Sequence, residues 1–514
     1  MTIHLHWFRR DLRLHDNASL HAATASDATT YAVFCTADLE YLNERQRSFV
    51  AAALGNLRAA LGKADATLSV LQGDPATALA AAAKRLGATR VFCARAFDRR
   101  EREIEDRVRE KLRAASIELH TSGGSVVHDP EAVAQLKQSA KEGYRVFPPF
   151  LDAWKSLVVE RPLEAAATSG RDGLSGETPD VPAPHGILPK ESSALEALSR
   201  FVTARAGDYG LNAEYPGRSG TSNLAAYMRF GLLSPRAVCH AILEKMARTW
   251  TLAEERLSME AYLRRLALRD FYIHLAYYEP SVYEEPLQEK MRGFRWSEDE
   301  EMASIWRAGK TGYPLVDAAM RELVAEGHVH QRAAVVAASF CTADLGLDWR
   351  IGRDTWMSEL LEADEALCVG NWQRIAGIGS DQAAYPRIYN PVRQAQLFDS
   401  QATYIRRYCK ELAKLPTRAA LAPWEIGKQQ QHELTRTSPA KENSSGSWTN
   451  GRVMLEIPIP CPNGVAKRDC TIPPPIFPGE HDIWTIEPEP PPTLEVEPPS
   501  LPAFAVNPPP PPKS

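Results

Sequence analysis

From Thr2 to Ser122 short runs of apolar and β-branched residues alternate with longer amphipathic stretches. TIHLHWF comes first, then TTYAVFCT, TLSVLQGD, TRVFCAR and SIELHTS. Between them Glu44–Leu61, Pro75–Leu86 and Arg99–Ala115 carry helical spacing. That rhythm predicts a parallel sheet covered by helices on both faces and joined by right-handed crossovers. From Glu196 to about Trp424 the period becomes that of helices throughout. Pro314 opens one of them, Val316, Ala319, Met320, Leu323 and Val324 form its stripe, and Gly327 closes it. Leu263, Leu266, Ala267 and Phe271 make a second stripe, with Arg265 and Arg269 one turn apart beside it. Trp356, Leu360, Ala363 and Leu367 keep the same spacing and predict a helix-like segment running into LCVGNWQR. The expected fold is an α/β, Rossmann-like N-terminal domain followed by an all-α domain.

Two stretches break the periodicity. Residues 126–195, with Pro148–Phe150 and SGRDGLSGETPDVPAPHG, are punctuated by Gly, Pro and Ser and are expected to be a long surface connector. Beyond residue 426 lie 20 of the 38 prolines, without apolar periodicity, which predicts an extended or disordered tail. The expected organisation is therefore 1–128, α/β; 129–195, connector; 196–425, helical; 426–514, tail.

At 514 residues with 44% hydrophobic content, the chain can bury two or three cores. A formal charge of −5 excludes a globally basic nucleic-acid binder but leaves room for a local basic patch. The eight cysteines are scattered singly, with no CxxC pair or Cys/His ligand spacing, so neither a zinc nor an iron–sulfur site is expected. That usage points to a reducing compartment, the cytoplasm with the nucleus as an alternative. MTIHLHWFRRDLRLHDN lacks the apolar core of a signal peptide, and no apolar run is long enough to span a membrane.

No GxGxxG follows the first strand. WFRRDLRLHDN stands there instead, and its Arg9, Arg10, Asp11, Arg13 and Asp16 suit either an anion site or a salt-bridged turn joining two domains. Near the other end, Gly370, Gly377 and Gly379 flank Asn371 and Trp372, a composition that permits close approach of backbone to a flat ligand. A helical block of this size can hold a cofactor between its helices.

WFRRDLRLHDN, GTSNLAAYMRFGLLSPR (Gly220–Arg236), TGYPLVDAAMREL (Thr311–Leu323) and the run from Trp349 to Asp399 together resemble, in order, the motifs of the photolyase/cryptochrome family. The resemblance covers roughly residues 3–425. It implies FAD in the all-α domain, with Tyr209, Thr221, Ser222, Leu224, Tyr262, Gln331, Glu362, Asp364 and Cys368 as cofactor-binding positions. Thr221 and Ser222 are expected to open a helix and supply N–H groups and hydroxyls to the pyrophosphate. Asp364 is expected at the edge of the flavin ring, accepting its imide proton. Trp372, Trp349 and Trp296 match the family's electron relay, from the flavin outward. A second antenna chromophore in the N-terminal domain is also implied; folate, deazaflavin and a second flavin all remain open.

The same resemblance exposes departures. Two tryptophans that wall the lesion pocket of dimer photolyases are matched by Leu268 and Arg374, a glutamate by Arg265, and a methionine by Val335. Stacking is worth about 1–3 kcal/mol per aromatic, so two lost walls weaken dimer capture. Cys368 stands for the asparagine beside flavin N5. Ala334 and Glu362 stand for an Arg–Asp ion pair whose arginine is missing. Gln331 and Val335 replace the histidines used for (6-4) repair, which disfavours that activity. Arg269, Arg332 and Arg387 match phosphate-facing residues, and with Arg264, Arg265, Arg374 and Arg393 would form a positive mouth. The implied activity is light-dependent repair of cyclobutane pyrimidine dimers in UV-damaged DNA by a monomeric carbon–carbon lyase. A cryptochrome-like photoreceptor signalling to a protein partner through its tail, and a flavin redox enzyme with an altered pocket, remain the alternatives.

Overall fold

The computed structural model describes residues 2–25, 27–137, 142–171, 186–248, 250–380 and 388–425. The predicted tail 426–514 and Arg387 lie outside them.

All five predicted strands form, as β1 (Ile3–Phe8), β2 (Thr29–Cys35), β3 (Leu68–Leu71), β4 (Arg90–Cys93) and β5 (Glu118–Thr121). They make one parallel sheet in the order β3-β2-β1-β4-β5, with Leu5 beside Tyr31 on one side and Val91 on the other. The N-terminal helices are α1 (Ala18–Thr24), α2 (Glu44–Gly62), α3 (Pro75–Leu86) and α4 (Arg99–Ala114). Their boundaries follow local chemistry. Asn43, Asp74 and Asp98 cap α2, α3 and α4 by accepting from Gln46, Thr77 and Glu101 N–H groups. Leu5, Trp7, Val33 and Val91 pack with Leu79, Ala83, Val108 and Leu112 on one face of the sheet. On the other face Phe8, Phe34 and Val70 join Phe49 and Leu54 of α2 in a core continuous with the helical part of the chain.

The stretch expected to be a surface connector contains α5 (Pro130–Ala134) and α6 (Phe147–Ser156). Phe150, Leu151 and Trp154 of α6 are buried, and the Trp154 indole donates to Asp270 at 3.0 Å. Pro148, expected to interrupt structure, instead lies in the first turn of α6, where no backbone N–H is needed, and Pro130 opens α5 for the same reason.

The helical part continues with α7 (Glu191–Ala204), α8 (Tyr209–Asn212), α9 (Ala225–Arg229), α10 (Pro235–Met246), α11 (Ala253–Tyr278), α12 (Glu300–Arg307), α13 (Pro314–Glu326) and α14 (Gln331–Ser339). Then come α15 (Trp349–Glu359), α16 (Glu365–Ile375), α17 (Pro391–Phe398), α18 (Thr403–Tyr408) and α19 (Thr417–Leu421). The stripes on α11 and α13 face inward as expected, except that Val324 is exposed. The periodic run through Trp356, Leu360, Ala363 and Leu367 is not one helix. Leu360 turns to extended backbone, Leu361 N–H bonds Gly327 O at 2.8 Å, and Asp364 caps a new helix. The Gln46 amide of α2 donates to Leu361 O and Ala363 O, both at 3.0 Å, satisfying carbonyls that a continuous helix would have used itself.

The turn after β1 joins the two halves of the molecule. Arg10 donates to Asp98 at 3.0 Å, to Arg229 O at 3.3 Å and to Asp364. Arg13 donates to Gly231 O at 2.9 Å, and Asp16 pairs with Arg236. Gly231 has φ +72°, and a Cβ there would stand 1.9 Å from Arg10 O, so only glycine lets the two segments touch. Of the two readings of WFRRDLRLHDN, the salt-bridged junction is the arrangement observed.

Candidate functional site

The loop before α9 holds Thr221 and Ser222. It does not become helical at these residues, because Asn223 adopts φ +57° and its side chain accepts from the Thr221 hydroxyl at 2.8 Å. The helix starts at Ala225, three residues later than the opening implied for Thr221 and Ser222. Leu224 stands at the N-cap, fully buried, and its side chain offers no acceptor. The first-turn N–H groups of α9 therefore have no side-chain cap, while the Thr221 and Ser222 hydroxyls border the same loop. Gly220 precedes them so closely to Asn212 that a Cβ would sit 2.4 Å from its carbonyl oxygen. Uncapped N–H donors beside two hydroxyls are a donor set that fits a diphosphate. Beneath them the Tyr209 and Tyr262 rings meet edge to face at 5.1 Å, and the Tyr262 hydroxyl reaches Ser222 Oγ at 3.4 Å. Burial raises both phenol pKa values, which keeps them as neutral O–H groups.

Asp364, Glu362 and Cys368 surround the start of α16. Asp364 Oδ1 accepts from Leu367 N–H at 3.3 Å as the helix cap, and Oδ2 takes the Arg10 guanidinium, with Arg229 at 3.9 Å. Burial alone would raise its pKa. The charges of Arg10, Arg229 and Arg269 outweigh that and hold it far below the ordinary range. The resemblance placed this carboxylate at a ligand edge; in the structure both oxygens have protein partners, and they pin α16 to the β1 turn. Glu362 accepts from His328 Nδ1 at 2.7 Å. Burial lowers the imidazole pKa, but Glu362 overcomes it and lifts it to about 9. His328 lies in the loop between α13 and α14. It supplies the cation that Ala334 cannot. Burial pushes the Cys368 thiol up to about 12, so it remains S–H.

The basic mouth is altered by one acid that sequence reasoning missed. Glu214 accepts from Arg265 at 2.8 Å, from Arg332 Nε at 2.8 Å and from Gln331 at 3.1 Å. Arg332 also lies 4.2 Å over the Phe398 ring. Nothing about an isolated glutamate in sequence marks it as the point where three site residues meet. Arg269, expected to face phosphate, is instead turned inward: its side chain is only 11% exposed and its guanidinium bonds Asp270 and Ser125 O. Leu268, Val335 and Arg374 are half-buried, and Arg374 Nε has no hydrogen-bond partner among the described residues. Arg264 sits 5.0 Å over Phe147, and Arg393 is exposed.

Trp372 of α16 and Trp349 of α15 are buried, and Trp296 is half-buried. Trp372 lies on Gly352, where a Cβ would meet its ring at 2.0 Å. Trp349 stands three residues before that glycine on the same helix. Ser297 N–H bonds Gly346 O at 2.8 Å and Asp348 N–H bonds Ser297 O at 2.9 Å, tying the residue after Trp296 to the segment that opens α15. Trp356 and Trp306, absent from the sequence-based relay, complete a cluster around Trp372.

A family model described as DNA photolyase matches residues 4–167, and one described as the FAD binding domain of DNA photolyase matches residues 262–444. The chain is 33% identical to a deoxyribodipyrimidine photo-lyase of Escherichia coli over 467 residues, 86% of this chain and 96% of that protein. A class III photolyase structure from Agrobacterium tumefaciens aligns with a TM-score of 0.76 at 28% identity, covering 85% of this chain and 92% of that one. A Synechocystis cryptochrome structure aligns at 0.75 and 27% identity, covering 84% and 94%.

Proposed function

The chain belongs to the DNA photolyase family, and from that premise we propose that it is a light-driven, FAD-dependent lyase that splits cyclobutane pyrimidine dimers in DNA. The observation that carries this reading is the 33% identity extending over 96% of the Escherichia coli deoxyribodipyrimidine photo-lyase, which leaves almost none of that enzyme without a counterpart here. On this reading, residues 1–128 are an antenna-type domain and residues 196–425 hold FAD. FAD, when bound, supplies the light-excited electron donor for ring splitting.

The chain's own residues do the rest. Thr221, Ser222 and the uncapped N–H groups of α9 hold the diphosphate, with Tyr209 and Tyr262 as neutral hydroxyls beside them. Cys368 presents a neutral S–H, a weak hydrogen-bond partner, because burial disfavours its thiolate. Asp364, kept ionised by Arg10 and Arg229, fixes the helix on which Cys368 and Trp372 ride. Trp372, Trp349 and Trp296 provide the route by which electrons enter from the surface. Leu268, Val335 and Arg374 line the place of a flipped dimer; the Arg374 guanidinium takes over part of the stacking that a tryptophan would supply. Arg332 and Arg265, positioned by Glu214, face the phosphates.

A photoreceptor without repair activity is the second reading, and one specific observation favours it. Arg265, Arg332 and Arg269, three of the cations expected to meet DNA, are already paired within the protein. The two readings separate in one experiment. Reduced, FAD-loaded protein is mixed with a dimer-containing oligonucleotide and illuminated with blue light. Recovery of thymine absorbance is expected. Intact dimers at saturating DNA eliminate the lyase, and light-dependent protease sensitivity of residues 426–514 would then favour the photoreceptor.

A further inference from the structure

We propose that the electron relay forks at Trp372, and that Trp356 and Trp306 form a second, buried branch that accepts and holds the electron hole. The proposal rests on the FAD reading above and concerns two tryptophans that belong neither to the relay expected from sequence nor to the proposed repair route.

The fork follows from one glycine. Gly352 lets the Trp372 ring lie directly on α15. On that helix Trp349 is three residues before Gly352 and Trp356 four after it, so both project from the same face, one turn to either side. Trp372 thus lies against α15 between the positions of Trp349 and Trp356. The Trp356 ring meets it edge to face at 5.0 Å and 88°. Trp306 of α12 lies 6.1 Å from Trp372 and stacks on Trp356 at 5.6 Å and 13°. A near-parallel indole pair can share one positive charge, which a lone indole cannot.

The surroundings of the two branches differ in charge. The Arg350 and Arg353 guanidinium groups lie 5.0 and 5.3 Å from the Trp349 ring centre. They favour the neutral indole and oppose a positive charge on it. Asp348 and Asp354 pair with these arginines and moderate the effect. Among the described residues no arginine or lysine lies over Trp356 or Trp306. The nearest cation by sequence, Arg307, is held by Glu300 and Thr355. The Trp306 N–H donates to Ala337 O at 3.1 Å. A carbonyl oxygen in a buried helix does not take up the proton, so an oxidised Trp306 keeps it and stays a cation. Both rings are buried, Trp306 at 0% and Trp356 at 7% exposure, out of reach of dissolved reductants.

The step balances without bond-making. With FAD bound, oxidised and light-excited, Trp372 would give up one electron. Trp356, sharing charge with Trp306, returns one electron to Trp372. Trp372 is neutral again, the pair is oxidised by one electron, and no proton moves. The hole is refilled back through Trp372 and Trp349 by an electron that a thiol donates at Trp296. The branch therefore delays recombination until an external electron arrives.

Flash photolysis of the full-length, FAD-loaded chain tests this, with tryptophan radical absorbance and EPR as readouts. Trp349→Phe closes the surface route; a long-lived tryptophan radical is expected to persist, with a lifetime independent of thiol concentration. Adding Trp356→Phe should abolish it, and adding Trp306→Phe should shorten it, because an unstacked Trp356 holds the charge less well. FAD content equal to the parent protein verifies folding, and should Trp356→Phe fail that control, the Trp306→Phe comparison decides. Radical yields and lifetimes unchanged by either addition overturn the fork while leaving the FAD reading intact. No tryptophan radical in the unsubstituted, FAD-loaded protein overturns the relay and the fork together, whereas failure of the chain to load FAD overturns the FAD reading itself.

Discussion

His328 replaces a missing cation from a different place in the chain. The family pattern has an arginine where this chain has Ala334, which left Glu362 without an evident partner; the loop between α13 and α14 brings an imidazole to 2.7 Å instead. A guanidinium is always charged, whereas an imidazole is not. The pairing lifts the folded pKa to about 9 from an ordinary value near 6.5. A raised folded pKa means that the stabilisation is complete below pH 6.5 and is lost as pH rises through 9. Urea denaturation across that window should show His328→Gln abolishing this part of the decline in stability. The change is expected to be modest, since the imidazole is 41% exposed and solvent screens the pair. An unchanged slope would mean that the pair carries no differential charge. Asp364 makes the complementary point. Its position in the site was legible from motif resemblance, but its partners were not, because Arg10 lies far away in sequence and meets it only across the domain junction.

At the scale of elements, α15 and α16 depend on a break and on a missing side chain. The apolar period from Trp356 to Leu367 is real, since Trp356, Leu360 and Ala363 are all buried. Periodicity cannot tell a helix from two helices whose buried residues happen to stay in phase. The carbonyl acceptors offered to Gln46 and the Asp364 cap decide for two. Gly352 then sets how closely they pack. Replacing a helical glycine by alanine ordinarily stabilises by about 1 kcal/mol. Here the new Cβ would lie 2.0 Å from the Trp372 ring, far inside contact distance, so overpacking wins. Gly352→Ala should destabilise by about 1–3 kcal/mol in guanidinium denaturation and alter the near-UV signal of the tryptophan cluster. A stabilised variant would show that the two helices separate easily.

The whole molecule determines which cations are available to DNA. Counting arginines on α11 and α14 predicts a positive mouth, yet the folded chain spends Arg269 on Asp270 and shares Arg265 and Arg332 with Glu214. Arg265 is the surface member of that cluster, its side chain 45% exposed, so Arg265→Ala should weaken DNA binding and reduce the slope of log affinity against log salt by about 1. Arg269→Ala should leave that slope unchanged. It should instead destabilise the fold by about 3 kcal/mol, the low end for breaking a buried pair, because Trp154 and two backbone N–H groups still satisfy Asp270. Filter binding over a salt series and denaturation of the same two variants check both halves.

The five strands, the three long helices between them and the motif order that identifies the family were readable along the chain. Each depends on residues within a few positions of one another, where spacing and hydrogen-bonding capacity are local properties. The helix in the supposed connector, the divided segment around Leu360, the Glu214 cluster, the His328–Glu362 pair, the inward turn of Arg269 and the Trp372–Trp356–Trp306 contacts were not. Those depend on which distant segments are packed together, and a side chain's charge or ring carries no period that announces its partner. Packing brings α12, α15 and α16 together around Gly352, and only there does a row of separate tryptophans become a branched path.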